Sequence, residues 1–321
     1  MAIDASKKAP THWEKDIRAG GAPFMTLHEI VKKANQRLSQ GAWDYLIGAT
    51  ETETTLKRNR MAIDALAFKA RVCRDVSEID CSTTFMGQKI RIPVLLAPIG
   101  GIEAFDPEGG ASSAKASEAF DVPHMLSSRC HPGLEDTAAA ADNFRIFQLY
   151  VRGDQDWVDD HVDRALKHGY KSFCLTVDSA HYSRRERDIS TRYVKKWRAR
   201  VGEEGVRYQS TLSWDHVKHH KKKYPDYPLI LKGIATAEDA QMALDHGVEG
   251  IYISNHGGRQ LDHGRGSIDV LPEVAAVAKG KATIFVDGSF MRGSDVVKAM
   301  ALGADIVGMG RMQGLSLAAG S

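Results

Sequence analysis

"LILKGIATAEDAQMALDHGVEGIYISNHGG", Leu229 to Gly258, is the stretch whose reading decides the fold. It opens with a short apolar run, "LILKGI". It then turns helical in "TAEDAQMALDHG", which stops at a glycine as helices often do before a following strand. A second apolar run, "GIYISNHG", comes straight after. Strand, amphipathic helix and strand in immediate succession make a parallel crossover unit.

Reading outward, the same alternation recurs on both sides. Upstream runs are "IRIPVLLAPIG" (Ile90–Gly100), "VPHMLSS" (Val122–Ser128), "FRIFQLYV" (Phe144–Val151) and "SFCLTVD" (Ser172–Asp178). Downstream come "ATIFVDGS" (Ala282–Ser289) and "DIVGMG" (Asp305–Gly310). Helical stretches such as "DQDWVDDHVDRALKHG" and "RGSDVVKAMALG" lie between them. Eight strands joined by seven crossovers predict an α/β chain, a (β/α)8 barrel. Residues 1–89, with "TLHEIVKKANQRL" and "TETTLKRNRMAIDALAF", have helical periodicity and predict an α-helical extension packed on the barrel. The barrel itself is expected over 90–321. Its charged segment 179–227 is too long for a plain connection, and is expected to pass over the barrel mouth.

Composition narrows the class. The chain has 321 residues, 43% hydrophobic and 26% charged, enough for one large barrel. Its net charge of +2 provides no global field for nucleic acid or an anionic membrane. No apolar run is long enough for a transmembrane helix, and no secretory signal is visible, so a cytoplasmic protein without a membrane anchor is expected. Cys73, Cys81, Cys130 and Cys174 are scattered without a CxxC pair, as reduced thiols would be.

Barrel chemistry sits where strands end, and the strand ends here are polar: Asp178, Lys232, His256 with Arg259, Asp287 with Gly288, and Gly310 with Arg311. His256 has an ordinary pKa near neutrality and suits proton removal. Asp178 could hold its other ring nitrogen and stabilise the imidazolium. Arg259 and Arg185 offer planar forks matched to a carboxylate. Gly257 and Gly258 let backbone approach a flat ligand closely. "GADIVGMGR" resembles a late-strand phosphate site.

The stretch "SNHGGRQLD", with "APIGG", "LSS", "FQLYV", "LTVD", "RRERD" and "LKGI" in the same order, resembles the FMN-dependent α-hydroxy acid oxidase and dehydrogenase family. That family includes glycolate oxidase, lactate oxidase and mandelate dehydrogenase. The resemblance runs from about Leu27 to Ala319. It implies FMN as cofactor and oxidation of a 2-hydroxy acid to the 2-keto acid. Electrons would pass on to oxygen, a quinone or a carrier protein, in a homo-tetramer or other homo-oligomer. It implies His256 as base with Asp178 as its partner, Arg259 and Arg185 on the substrate carboxylate, and Tyr45 and Tyr150 as hydrogen-bonding groups. Lys232 would lie beside flavin N1. Ala97, Pro98, Gly100, Ser127, Gln148, Thr176 and Ser254 would hold the ring and ribityl chain. Asp287, Gly288, Ser289, Arg292, Gly310 and Arg311 would hold the ribityl and phosphate end.

The chain departs from the family pattern in several places. "DGSFMRG" puts Met291 where an arginine is usual, leaving Arg292 to compensate in part. "LSSRCHPG" puts Arg129 where an apolar or aromatic residue often lines the pocket, which would favour a substrate with a second acidic group. Gly100, often alanine, would leave more room near the flavin. His216, His219 and His220 in "HVKHHKKKY" share a helical face at metal-compatible spacing, yet read better as part of a solvated basic face with no apolar side and no metal. In mandelate dehydrogenase-like members this region anchors a membrane. Two other readings stay open: a tailoring oxidase acting on an amine or peptide, and a flavin-binding protein without turnover.

Overall fold

The computed structural model describes residues 23–193 and 203–320. Three helices lead, α1 (Leu27–Arg37), α2 (Gln40–Ile47) and α3 (Thr54–Ala65), then a hairpin of β1 (Thr83–Phe85) and β2 (Gln88–Ile90). The barrel follows as β3 (Val94–Leu96), α4 (Gly110–Phe120), β4 (His124–Ser127), α5 (Leu134–Ala140), β5 (Arg145–Leu149), α6 (Gln155–Lys167) and β6 (Ser172–Thr176). After β6 come α7 (Glu186–Ser190), α8 (Glu203–Ser210) and α9 (Trp214–Lys223). The chain ends with β7 (Leu229–Ile234), α10 (Ala237–Asp245), β8 (Gly250–Ile253), α11 (Ser267–Ala278), β9 (Thr283–Val286), α12 (Gly293–Ala301), β10 (Ile306–Met309) and α13 (Arg311–Gly320). Strands β3 to β10 pair in parallel and close on themselves between β10 and β3, so the fold is a (β/α)8 barrel.

Local chemistry explains the crossovers. Asp154 caps α6 by accepting from Trp157 N at 3.0 Å, and Thr236 caps α10 by accepting from Asp239 N at 3.1 Å. Gly247 takes the left-handed conformation that ends α10 (φ 74°). Along each strand, alternate residues face opposite sides. Leu95, Met125, Ile146, Cys174, Ile230, Tyr252, Phe285 and Ile306 point inward and form one buried cluster. Their sequence neighbours Leu126, Phe147, Phe173, Ile251, Ile284 and Val307 belong to the cluster under the helices.

Two features differ from the sequence reading. The extension expected to be helical also carries the β1–β2 hairpin, whose Phe85 and Ile90 join the inward cluster. Phe85 meets Phe285 edge-on at 5.6 Å and so closes the N-terminal end of the barrel. Its tight turn uses Met86 (φ 45°) and Gly87 (φ 81°), a primed geometry reached without the usual Asn-Gly signal. Second, α9 is not part of an excursion over the barrel mouth, although Lys218, Lys222 and Lys223 keep a basic face exposed. It is the crossover helix between β6 and β7, burying Val217 and His220. His220 stacks on Phe173 at 5.6 Å and its Nε2 donates to Tyr227 O, while His219 pairs with Asp159 at 3.0 Å. No helix among the described residues is long and apolar enough to cross a membrane.

Burial lowers the pKa of both His220 and His124 to about 4. In the unfolded chain each returns to near 6.5, so between these values the unfolded state binds more protons. Their contribution to stability is therefore complete above pH 6.5 and is lost as pH falls toward 4, by up to roughly 2 kcal/mol per histidine at pH 5. Urea unfolding of the chain at pH 7 and pH 5 should show this loss. In His220→Phe the drop between the two pH values should be smaller.

Candidate active site

Moving two residues along each strand from the apolar ring reaches the next inward position at the C-terminal end. These positions are Ala97, Ser127, Gln148, Thr176, Lys232, Ser254, Asp287 and Gly308. The apolar layer beneath excludes water, so this polar layer finds most of its partners within itself. Gln148 Nε2 donates to Thr176 Oγ1 at 2.7 Å, Lys232 Nζ donates to Ser254 Oγ at 3.1 Å, and Ser254 Oγ donates to Asp287 Oδ1 at 2.7 Å. Lys232 lies 3.7 Å from Asp287. Burial alone would lower the lysine's pKa, but Asp287 and Asp178 outweigh it and raise it, so Lys232 stays cationic.

Above that layer stands His256. Its Nδ1 lies 3.1 Å from Asp178 Oδ1 and its Nε2 3.0 Å from the Tyr150 hydroxyl. The residue is left-handed (φ 58°), as are Gly257 (63°) and Gly258 (76°). A Cβ at Gly258 would lie 2.6 Å from Leu56 N, so backbone requires glycine there, and one at Gly257 would stand 2.6 Å from Arg311 Nη1 and displace that guanidinium. Asn255 secures this turn by accepting from Gly258 N and exchanging two hydrogen bonds with Asn59, which is fully buried. At Gly233 a bulge breaks the β7–β8 register. A Cβ there would lie 2.6 Å from Asp178 Cβ, so the bulge gives Asp178 its place.

Burial lowers the His256 pKa, opposed by Asp178 and reinforced by Lys232. Burial would raise Asp178, but His256 and Lys232 outweigh it and hold its pKa low. The resting pair is thus a neutral imidazole against an ionised carboxylate. Nδ1–H donates to Asp178, and Nε2 keeps the lone pair.

Three arginines converge nearby. Arg259 stacks over the Tyr45 ring at 4.9 Å and donates Nη1 to Gly48 O. Arg185 stacks over Tyr182 at 4.8 Å. Arg311 donates Nη2 to Gly48 O and Gly257 O, at 2.9 Å each. Burial, with Arg185, lowers Arg259 to about 10, and burial, with Arg259 and Arg185, lowers Arg311 to about 9. Such a cluster is built to receive anions. Tyr45, whose pKa is raised by burial, donates its hydroxyl to Gly100 O.

These groups surround a cavity of about 550 Å³ that opens at the C-terminal end of the barrel. Its wall includes Tyr45, Ala97, Pro98, Gly100, Arg129, Tyr150, Arg185, Lys232, His256, Arg259, Asp287, Gly288, Ser289, Gly310 and Arg311. Asp178, Ser127, Gln148, Thr176 and Ser254 stand behind this wall, adjoining it through the strands. Arg292 does not line the cavity. It is exposed just ahead of α12, whereas Met291 lines the wall in its stead. The room expected at Gly100 is filled: a Cβ there would stand 2.9 Å from Arg129 Cβ. Sequence reading missed Asn59, His181 and Gln260, which sit outside the strand-end pattern, and passed over Arg152 just after β5.

FMN fits this setting. Gln148 Oε1 is buried without a partner, an acceptor awaiting an N–H at the ring end. Arg311 Nε is likewise buried without a partner, at the end where Gly310 leaves open space. That end suits a phosphate.

Comparison with known proteins gives one consistent answer. The family described as FMN-dependent dehydrogenase matches residues 34–321. Glycolate oxidase 1 of Zea mays is 38% identical over 306 residues, covering 89% of this chain and 83% of the relative. 2-Hydroxyacid oxidase 2 of Rattus norvegicus is 35% identical over 303 residues, covering 90% and 86%. A mandelate oxidase crystal structure superimposes with a TM-score of 0.87 at 32% identity, covering 93% of this chain and 88% of its own. A variant of mandelate oxidase solved with an FMN adduct gives 0.83 at 33%, covering 91% and 87%.

Because Met291 brings no charge to the cavity wall, Met291→Arg should tighten FMN binding by about tenfold, the size of one charge-assisted hydrogen bond. Quenching of FMN fluorescence by the apoprotein measures this. An unchanged affinity would mean that the cations already present saturate the phosphate.

Proposed function

The chain belongs to the FMN-dependent dehydrogenase family, and from that premise we propose that it oxidises the α-carbon of a 2-hydroxy acid to the 2-keto acid. The observation that carries this reading is the neutral His256 held between Asp178 and Tyr150 beside paired arginines. FMN is the cofactor, and when bound it accepts the two electrons that leave the substrate. Lys232, Gln148, Thr176 and Ser254 are assigned to its ring end, and Arg311, Gly310, Gly288 and Ser289 to its phosphate end.

The substrate's carboxylate is assigned to Arg259 and Arg185, whose forks match its two oxygens. Tyr45, stacked under Arg259, fixes the angle of that guanidinium. With the carboxylate anchored, the α-carbon and its hydroxyl lie toward His256 Nε2. That nitrogen takes one proton as the carbonyl forms. Overall the hydroxy acid loses two electrons and two protons: one proton rests on His256, and the other would leave with the two electrons to bound FMN. Asp178 holds Nδ1–H and stabilises the imidazolium, as a buried carboxylate does in other base-assisted sites. Tyr150 gives up its contact with Nε2 to the substrate hydroxyl.

Anaerobic mixing of FMN-loaded protein with a panel of 2-hydroxy acids tests the reading: one or more members should bleach the flavin. Admitting air then distinguishes oxygen from a quinone or carrier as acceptor. His256→Ala should keep the flavin and slow bleaching about 10²- to 10⁴-fold. A panel with no bleaching member would overturn the reading. In kcat/KM the acid limb should fall below pH 6.5, since burial depresses His256. Asp178→Asn removes the charge that opposes this depression, so its limb should move to still lower pH as the rate falls.

We infer a homo-oligomer, as in the tetramer the resemblance implies. The segment between α3 and β1 exposes Phe68, Val72, Val76 and Ile79, with Val72 at 84%. So much exposed apolar surface on one arm favours contact with a second copy. Light scattering should give a multiple of 35.2 kDa, and Val72→Glu with Ile79→Glu should lower it.

A further inference from the structure

The cavity wall holds a surplus of cations: among the described residues lining it, Asp287 is the only carboxylate. Arg185 and Arg259, assigned to the substrate carboxylate, reach this wall from different segments. Arg185 comes from the residue just before α7, and Arg259 from the turn after β8. Two like charges so placed repel each other across poorly screened space. Burial, and next the charge of Arg185, lower the Arg259 pKa to about 10. Left to itself such a pair separates, and a separated pair offers a carboxylate only one fork at a time.

A single hydroxyl joins them. Ser183 Oγ accepts from Arg185 Nε at 3.1 Å and donates its proton to the carbonyl oxygen of Arg259. Arg185 Nη2 reaches that same carbonyl at 3.5 Å. The guanidinium of one arginine is thereby tied to the backbone of the other. Ser183 itself is half-buried behind the cavity wall.

The same two segments are joined a second time, through the loop before α3. Thr50 N donates to Gly258 O at 3.0 Å, Glu51 N to Arg184 O at 2.8 Å, and Thr50 Oγ1 to Arg184 O at 3.2 Å. This second tie fixes the course of both backbones without Ser183. What Ser183 adds is the position of the Arg185 side chain.

We propose that Ser183 is a positioning residue that preorganises the carboxylate clamp, holding the Arg185 guanidinium against the Arg259 turn before substrate arrives. This rests on the hydroxy-acid reading, in which Arg185 and Arg259 take the carboxylate. Ser183 acts through Arg185 and not by contact with substrate.

The test uses FMN-loaded protein titrated calorimetrically with 2-ketobutyrate and with 2-ketobutyramide, which has no carboxylate; both report binding without turnover. Ser183→Ala should bind the acid about tenfold more weakly, the size of one charge-assisted hydrogen bond, and the amide as before. Its FMN affinity and melting temperature should match the parent's, because Thr50 and Glu51 still tie the segments. Ser183→Thr keeps the hydroxyl and should bind the acid like the parent. With a hydroxy acid that bleaches the flavin, Ser183→Ala should raise KM and leave kcat nearly unchanged. In an Arg185→Met background, Ser183→Ala should have no further effect. Unchanged acid affinity in Ser183→Ala overturns the proposal, as does an equal loss for acid and amide, or a tenfold loss that persists in the Arg185→Met background. A parent that prefers the acid, beside a Ser183→Ala variant that prefers it equally, removes the role of Ser183 and leaves the oxidation reading standing. A parent that neither prefers the acid nor is bleached by any hydroxy acid removes both.

Discussion

Everything at the site depends on the dry apolar plug beneath it. Tyr252, Phe285, Ile146 and their inward neighbours, closed from below by Phe85 and Ile90, leave no path for water to reach the polar layer from the barrel's far end. Charges on that layer are therefore screened by little except each other. This is why Lys232 is held cationic by two aspartates, and why His256 is pushed toward its neutral form although a carboxylate touches it. An exposed histidine beside an aspartate would tend the other way, toward a raised pKa. Burial reverses that tendency, and gives the proposed base its resting lone pair.

Backbone strain fixes where that lone pair points. A histidine at φ 58° costs about 1 kcal/mol or more against the right-handed region. The surroundings enforce the conformation from several directions. Ser254 Oγ accepts from His256 N, Asp178 and Tyr150 hold the ring, and Asn255, locked to Asn59 on α3, secures the two glycines that follow. The extension before the barrel is thus a structural part of the loop that presents His256.

Much of this was legible in sequence because period two and period 3.6 are local properties. All eight strands appeared as apolar runs, so Lys232 and Asp287 could be named from the strand ends without coordinates, whereas Ser254 was named only through the family resemblance. The hairpin was not legible, since three-residue strands carry too little pattern and the Met86–Gly87 turn lacks the usual residue pair. Nor was the burial of His220 in α9. Its neighbours in "HHKKK" are charged, and only Phe173 and Tyr227, distant in sequence or beyond the helix, reveal which face is covered.

The cation surplus also sets how stability and function trade against each other. Arg185 lowers the affinity of Arg259 for its proton, and Arg259 and Arg185 together lower that of Arg311, a repulsion that the folded chain carries until anions arrive. A phosphate at the Arg311 end and a carboxylate at the Arg259 end each relieve part of it. Ligand binding at such a site is linked to folding, because anything that binds the native state alone stabilises it. The same desolvation that strengthens each arginine's grip on its anion makes the unliganded cluster unfavourable, so the site's affinity and its cost to the empty fold have a single physical origin.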